Sequence, residues 1–380
     1  MAKKVVVLGG GLVGTPMALD LNKNIDWNVV LADRSVEQLS RAKAEGIDCI
    51  ACDLMEEGAI ENLVQSADFV INALPGEIGY QSLKRVIQAG KSGVDIAFYP
   101  EDFEELDQLA KEKGVTWLVD MGVAPGMSHL LSAYGATLLD DAQDIKIYVG
   151  GLPKDKSTFW QYKAPFSPSD VIEEYTRPAR FVRDGNEVVM PALTETEVLE
   201  FPVVGQLEAF NSDGLRSLIK SLDVPNMIEK TLRYPGYINK VMVLKESGFL
   251  SDEMVMVNGK EIKAIDFTSS VLFEQWKLKP QEREFTVMQI IISGLEGGKQ
   301  KKIFYDLYDA YDPETNIHSM ARTTGYTATV VLGLLKEGLF GNPGVHPPET
   351  LANYPDLVHE ILKGLKERGV VYKKSETYQK

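Results

Sequence analysis

Three glycines near the start of the chain are spaced to hold a pyrophosphate. Gly9, Gly11 and Gly14 fall in Gly9-Gly10-Gly11-Leu12-Val13-Gly14, directly behind the apolar run Val5-Val6-Val7-Leu8. Glycine here lets the backbone turn tightly and approach two phosphates, whose charge then rests on the N-terminus of the following helix. Met17-Ala18-Leu19-Asp20-Leu21 continues as that helix, and a second apolar run, Val29-Val30-Leu31, closes at Asp33. Asp33 lies 19 residues after Gly14, where a carboxylate can bind the ribose hydroxyls of an adenosine. G-x-G-x-x-G alone is a weak signal. Strand, glycines, helix, second strand and acid in that order are far more specific, and they predict a dinucleotide cradled by Gly9, Gly11, Leu12, Val13 and Gly14. A carboxylate at Asp33 repels a 2′-phosphate, so NAD is expected ahead of NADP; Arg34 is placed to stack on adenine or to reach a phosphate.

Further candidates follow from the rule that ligands of parallel sheets sit beyond the carboxyl ends of the strands. Asp53 and Leu54, after the third strand, are expected near adenine, and Asn72, Ala73, Leu74 and Pro75, after the fourth, form a cofactor-side loop. Asp95 and Asp120 end the fifth and sixth strands, each an acid–base candidate or the cap of a following turn. His129 opens a helix after Pro125-Gly126, where the helix terminus favours a neutral imidazole suited to act as a base; a buried structural role is the other reading. Arg177, Arg216 and Arg233 stand in apolar surroundings, beside Tyr175 and Tyr234. Such arginines hold a planar carboxylate through two bonds, or pair with a neighbouring acid of the protein. They suggest a small substrate bearing a carboxylate.

The elements that must position these groups divide the chain in two. A length of 380 residues exceeds one typical core. Up to about residue 120, strands near 4–8, 27–32, 47–51, 68–72, 93–97 and 115–119 alternate with helices, clearest at Gln81–Ala89 and Asp102–Lys113. This is an α/β pattern: a Rossmann doubly wound parallel sheet. Residues 143–310 change to longer amphipathic strands, with a hairpin expected across Glu296-Gly297-Gly298-Lys299, so a second α+β domain with a large mixed or antiparallel sheet follows. An apolar helix near Thr323–Lys336 is expected to return to the first domain. The expected division is 1–125 with 320–380 for the dinucleotide and 126–319 for substrate binding and oligomerisation. A net charge of −15 disfavours nucleic acid and anionic membranes as partners. No apolar run suits a membrane span and no room is left for a signal peptide, so a cytoplasmic location is expected. Cys49 and Cys52 supply only half a structural zinc site, and as strand residues they read as small buried side chains; no metal is expected.

Several of these segments resemble the saccharopine dehydrogenase-like oxidoreductases, and within them the lysine 6-dehydrogenase branch. The resemblance is carried by Val94-Asp95-Ile96-Ala97-Phe98-Tyr99-Pro100-Glu101-Asp102, Ala124-Pro125-Gly126, Ile172-Glu173-Glu174-Tyr175-Thr176-Arg177-Pro178, Ser212-Asp213-Gly214-Leu215-Arg216 and Lys230-Thr231-Leu232-Arg233-Tyr234-Pro235-Gly236. Saccharopine reductases look like Tyr-x-Ser-Pro after the fifth strand and Gly-x-Asp-Pro-Gly-Ile-Asp-His after the sixth. This chain has Phe98 in place of the tyrosine, and Ala124 and Ser128 in place of the two acids. The resemblance therefore implies NAD-linked oxidative deamination of the lysine ε-amino group, in a homodimer or higher homo-oligomer built through the second domain. His129 or Asp120 would be the base, and Arg233, with Arg216, would hold the α-carboxylate. A saccharopine-type or polyamine-condensing imine reductase is the alternative enzyme, and a non-catalytic NAD-binding sensor the alternative outside enzymes.

Overall fold

The computed structural model describes residues 2–378. It contains two compact units, one made of the chain up to Tyr134 with Met320–Val371, the other of Gly135–Ser319 with the chain from Tyr372 on.

The first unit is built on parallel strands: β1 (Lys3–Leu8), β2 (Trp27–Asp33), β3 (Asp48–Ala51), β4 (Phe69–Asn72), β5 (Ser92–Asp95) and β6 (Thr116–Leu118). Val5, Val6, Val7 and Leu8 are all fully buried, because helices cover both faces of a central parallel strand. The helices between strands follow their caps. Ser35 accepts the amide of Gln38 to start Val36–Ala44, and Gly114, left-handed at φ 64°, ends Asp107–Lys113. The single helix expected over 102–113 is a 3-10 turn, Phe103–Leu106, followed by a shorter α-helix. Cys49, on the edge strand β3, and Cys52, just past its end, are free and only partly buried.

The second unit holds β7 (Asp141–Pro153), β8 (Ala179–Arg183), β9 (Asn186–Met190), β10 (Glu197–Phe201), β11 (Gly205–Asn211) and β12 (Asn226–Arg233). An isolated hairpin, β13 (Met254–Val257) and β14 (Lys260–Lys263), comes next. Then β15 (Glu284–Glu296) and β16 (Lys299–Ala310) pair along their whole length. Their turn is Gly297-Gly298, both with positive φ (57° and 73°), which is what a two-residue hairpin turn demands. Two strands come late in the chain: β17 (Gly344–His346) and β18 (Tyr372–Tyr378).

The parallel sheet has the order β17-β6-β5-β4-β1-β2-β3. β17 makes it seven-stranded, one strand more than the sequence pattern gives. The chain runs outward from β1 to β3 and then restarts on the other side at β4, so the switch point lies between β1 and β4. The nine-stranded sheet of the second unit is mixed: β7 and β12 are parallel and the other pairs antiparallel. The two units differ from the expected division in two places. The helix Met127–Ala136 begins in the first unit, which extends to Tyr134 rather than 125. The terminal strand β18 pairs with β16, so residues from 372 on join the second unit and not the first.

Candidate active site

In the first unit the glycine loop and the loop after β4 meet at the switch point. Gly9 has φ 101°, and a β-carbon there would come within 2.6 Å of the Ala73 carbonyl oxygen. At Gly14 a β-carbon would fall 1.9 Å from the Gly9 carbonyl oxygen, so both positions require glycine. Gly11 is different: only Gln38 Oε1, at 3.5 Å, would approach its β-carbon, which leaves room for a ligand against the backbone. Val13, at the N-cap of the helix Gly14–Asn22, gives no side-chain cap, and Leu12 is exposed. A close-packed glycine turn with an open Gly11 and an uncapped helix start fits a dinucleotide pyrophosphate.

Around this cradle the expected residues behave differently. Asp33 Oδ2 accepts the Gly10 amide at 2.7 Å and Oδ1 accepts the Ser35 amide at 2.7 Å. The carboxylate thus ties the end of β2 to the glycine loop and stays partly exposed; the Arg34 side chain is exposed. Asp53 accepts the Met55 amide and is exposed. Leu54 is a correction: it is 4% exposed and belongs to the sheet's core cluster with Leu8, Ala32 and Leu74. Ala73 and Pro75 remain accessible on the loop, whereas Leu74 packs inward.

Asn72, Asp95 and Asp120 form a buried polar group at the carboxyl ends of β4 to β6. Asn72 Nδ2 donates to Asp95 Oδ1 at 2.7 Å and to the Gly79 carbonyl at 3.0 Å. Asp95 thereby anchors the residue that starts the cofactor-side loop. Burial, and then the neighbouring charge of Asp120, hold Asp95 well above the usual carboxylate range, against hydrogen bonds from Ala97, Tyr99 and Asn72. Asp120 is buried and left-handed, with φ 54°. His129 is fully buried, with Nδ1 2.9 Å from the Ser128 hydroxyl.

In the second unit Arg233 is the centre of an aromatic nest. Its guanidinium carbon lies 4.5 Å from the centroid of Tyr162, 5.8 Å from Tyr175 and 5.9 Å from Tyr237, with Trp276 packed on all three tyrosines. Nη2 donates to Glu174 Oε2 at 2.5 Å and to the Tyr175 hydroxyl at 3.1 Å, and Nη1 donates to the Leu232 carbonyl. Burial pushes the Glu174 carboxyl up while Arg233 pulls it back. The expectation that Arg233 waits for a substrate carboxylate meets a correction here, because Glu174 of this chain already fills that role. Tyr175 shares the nest. Tyr234 does not: it follows Arg233 on the chain and so takes the opposite face, where it joins Leu152, Leu232 and Phe285 and donates to the Pro153 carbonyl. Arg177 pairs with Glu173 at 3.2 Å. Arg216 is buried at φ 42°, and its charge acts on Glu229. Tyr162, Tyr237, Trp276 and Glu229 were not among the sequence candidates. The alternation along β12, which puts Glu229, Thr231 and Arg233 on one face, is the signal that points to Glu229.

The sequence model of the saccharopine dehydrogenase NADP binding domain matches residues 5–118, and that of the saccharopine dehydrogenase C-terminal domain matches residues 122–370. The chain belongs to the saccharopine dehydrogenase family. It is a nicotinamide-dependent oxidoreductase of that family. Among curated relatives, the NADP(+), L-glutamate-forming saccharopine dehydrogenase of Saccharomyces cerevisiae is 23% identical over 99% of this chain and 100% of its own. The carboxynorspermidine synthase of Vibrio cholerae is 24% identical over 93% of each chain. The apo structure of the yeast saccharopine dehydrogenase matches with a TM-score of 0.82 at 20% identity, covering 99% of this chain and 100% of that one. The two proteins share a fold. Among the described residues no helix is long and apolar enough to cross a membrane.

Proposed function

We propose that the protein oxidises a C–N bond of an amino acid, with the lysine ε-amine as the group oxidised and NAD as the hydride acceptor. One observation carries the choice of reaction. After β5 and β6, where saccharopine reductases look like a tyrosine and two acids, this chain has Phe98, Ala124 and Ser128. Asp95, Asp120 and His129, which those segments do carry, are all buried. A condensing reductase that needs the missing acids loses its proton donors here. Oxidation of a primary amine needs one base, and Asp120 and His129 supply the candidates.

The residues then divide the work. The glycine loop holds the pyrophosphate, Asp33 takes ribose hydroxyls, and Asn72, anchored by Asp95, fixes the loop beside the nicotinamide. When bound, the dinucleotide supplies the hydride acceptor. Asp120 or His129 takes the proton of the substrate ammonium, freeing the nitrogen lone pair, and passes it to solvent. The same group then takes a proton from the water that attacks the iminium carbon and returns it to the nitrogen, which leaves as ammonia when the C–N bond breaks. Holding the carbon in place accounts for much of the rate.

Two features of the relatives point elsewhere: the yeast name specifies NADP(+) and saccharopine. Oxidation of saccharopine's secondary amine is therefore the second reading. Absorbance at 340 nm, followed with NAD⁺ or NADP⁺ against lysine and saccharopine separately, decides both points. Reduced cofactor is expected from lysine, with NAD⁺ preferred about tenfold through Asp33. Signal from saccharopine alone overturns the substrate reading, and a preference for NADP⁺ overturns the reading of Asp33.

A further inference from the structure

The segment after β3 is fixed more firmly than a surface loop needs to be. Arg85, from the helix Gly76–Gln88, reaches across to it. Its Nη1 donates to the Leu54 carbonyl at 3.0 Å and its Nη2 to the Glu56 carbonyl at 2.8 Å. Nε and Nη2 also grip the Glu61 carboxylate, at 2.9 and 2.8 Å, on the helix Ala59–Val64. Asp53 Oδ1 accepts the Met55 amide at 2.9 Å, and the Glu56 amide donates to the Asp53 carbonyl at 3.2 Å. The peptide group between Leu54 and Met55 is thus bonded at both its oxygen and its nitrogen. Fixing a loop in this way costs chain entropy, and a guanidinium only 18% exposed is committed to it.

What this clamp presents is one side chain. Leu54 packs into the core, whereas Met55, next to it, is 44% exposed. A single exposed apolar residue means little by itself. Position and chemistry give this one a use. Ala51, the last residue of β3, pairs with Asp33, and the Cys52 amide donates to the Asp33 carbonyl at 3.1 Å. The clamped segment therefore starts beside the carboxylate that takes the ribose hydroxyls in the reading above, at the edge of the sheet where ligands bind. Ile50 is also exposed, but it lies within β3, where side chains stand on the faces of the sheet and not beyond its end. Adenine is joined directly to that ribose and needs an apolar contact for its flat face. A thioether makes a favourable contact with an aromatic ring and adapts its shape to it.

We propose that Met55 is the residue on which the adenine of the dinucleotide packs, and that Arg85 is a positioning residue that holds Met55 in place. This role for Met55 rests on the dinucleotide reading of the glycine loop. It moves the adenine contact one residue on from Leu54, whose side chain belongs to the core. A lysine cannot do the work of Arg85. Its ammonium is a point charge with three donors, whereas the planar guanidinium makes four bonds here, to two carbonyls and one carboxylate.

Methionine labelled with carbon-13 at its methyl group lets each thioether be followed by NMR, and Met55→Leu identifies the Met55 signal. A ring packed face-on against a methyl group shifts its signal upfield. AMP and NADH are each expected to move the Met55 signal upfield, and nicotinamide mononucleotide to leave it in place. Met55→Ala is expected to weaken NADH about two- to tenfold in a fluorescence titration, and Met55→Leu by less. In Arg85→Lys the shift produced by AMP should shrink and AMP should bind more weakly. A Met55 signal that stays still while fluorescence shows NADH bound overturns the role of Met55 and leaves the dinucleotide reading intact. No NADH binding at all removes that reading, and the role of Met55 with it. A shift as large in Arg85→Lys as in the wild type removes Arg85 as the positioning residue. The wild-type shift decides for Met55 even where the Arg85 variant folds poorly.

Discussion

Asp95, in the first unit, is fully buried and Glu174, in the second, keeps 20% of its side-chain exposure, and their surroundings make them opposite kinds of group. Asp95 has amide donors and a second acid for neighbours, so burial and Asp120 act together to strengthen its hold on a proton. Glu174 has Arg233 against it at 2.5 Å, and the cation works against burial. Burial sets the cost of a charge, and the nearest partner decides whether the charge is kept. The first unit thus sets a carboxyl with a raised affinity for its proton behind its cofactor loop. The second stores an ion pair inside a ring of aromatic side chains.

The largest test of that contrast is Arg233→Ala. It strands the Glu174 carboxyl in an apolar nest and removes the cation from three tyrosine faces, so a loss of about 3–5 kcal/mol is expected in urea unfolding. A variant with unchanged stability and only a raised KM would instead make Arg233 a substrate ligand, with Glu174 a mere stand-in. Next comes Gly14→Ala. Its β-carbon would fall 1.9 Å from the Gly9 carbonyl oxygen, a backbone atom that cannot step aside. Overpacking of this kind costs about 1–3 kcal/mol, read as a tenfold or larger loss of NADH affinity by fluorescence titration. Unchanged affinity would show that the cradle does not carry the pyrophosphate.

The contrast also explains what could be read from the sequence. The glycine loop was legible because its function needs particular residue types at fixed spacing within one short segment. Arg233 was recognisable as an arginine that binds a carboxylate, but not which one: its partner Glu174 lies 59 positions away. Leu54 shows the limit of residue type, since an apolar side chain after a strand suits an adenine site and a core equally, and here it is core. The strand β17 is three residues long amid prolines and glycines, too short for any periodicity. For Glu229 the sequence shows the face of β12 but not its burial. Glu229-Lys230-Thr231-Leu232-Arg233 reads as a half-solvated strand, and only the elements packed on both faces bury its charged residues.

Asp95→Asn sharpens the first unit's side. The amide keeps the hydrogen-bonding shape and removes the acid. A carboxyl held above its unfolded value of about 3.9 binds its proton in the folded state and loses it on unfolding, so stability falls as pH rises past that value. One such proton contributes a slope of up to about 1.4 kcal/mol per pH unit until the folded group titrates. Because Asp120 is its neighbour, the proton belongs to the pair. Urea unfolding at pH 5 and pH 7 should therefore show Asp95→Asn gaining on the wild type as pH rises. A gain that does not change with pH would mean the pair carries no proton of its own.

The smallest expected effect concerns the direction of one hydroxyl in the second unit. The Tyr175 oxygen accepts N–H bonds from Arg233 at 3.1 and 3.3 Å, so its own proton must point elsewhere, and the Tyr237 oxygen stands 2.9 Å away. Counting acceptor sites on the Tyr175 oxygen assigns Tyr175 as the donor and Tyr237 as the acceptor. Tyr237→Phe leaves that buried donor without its acceptor and should cost about 1 kcal/mol. Tyr175→Phe removes the acceptor of two charged N–H bonds instead, and should cost more, about 1.5–3 kcal/mol. In the Tyr175→Phe background, Tyr237→Phe should then cost almost nothing, because the donor it strands is already gone. Additive losses in that double-mutant cycle would mean that the two hydroxyls act separately and that the nest holds Arg233 through Glu174 and the ring faces alone.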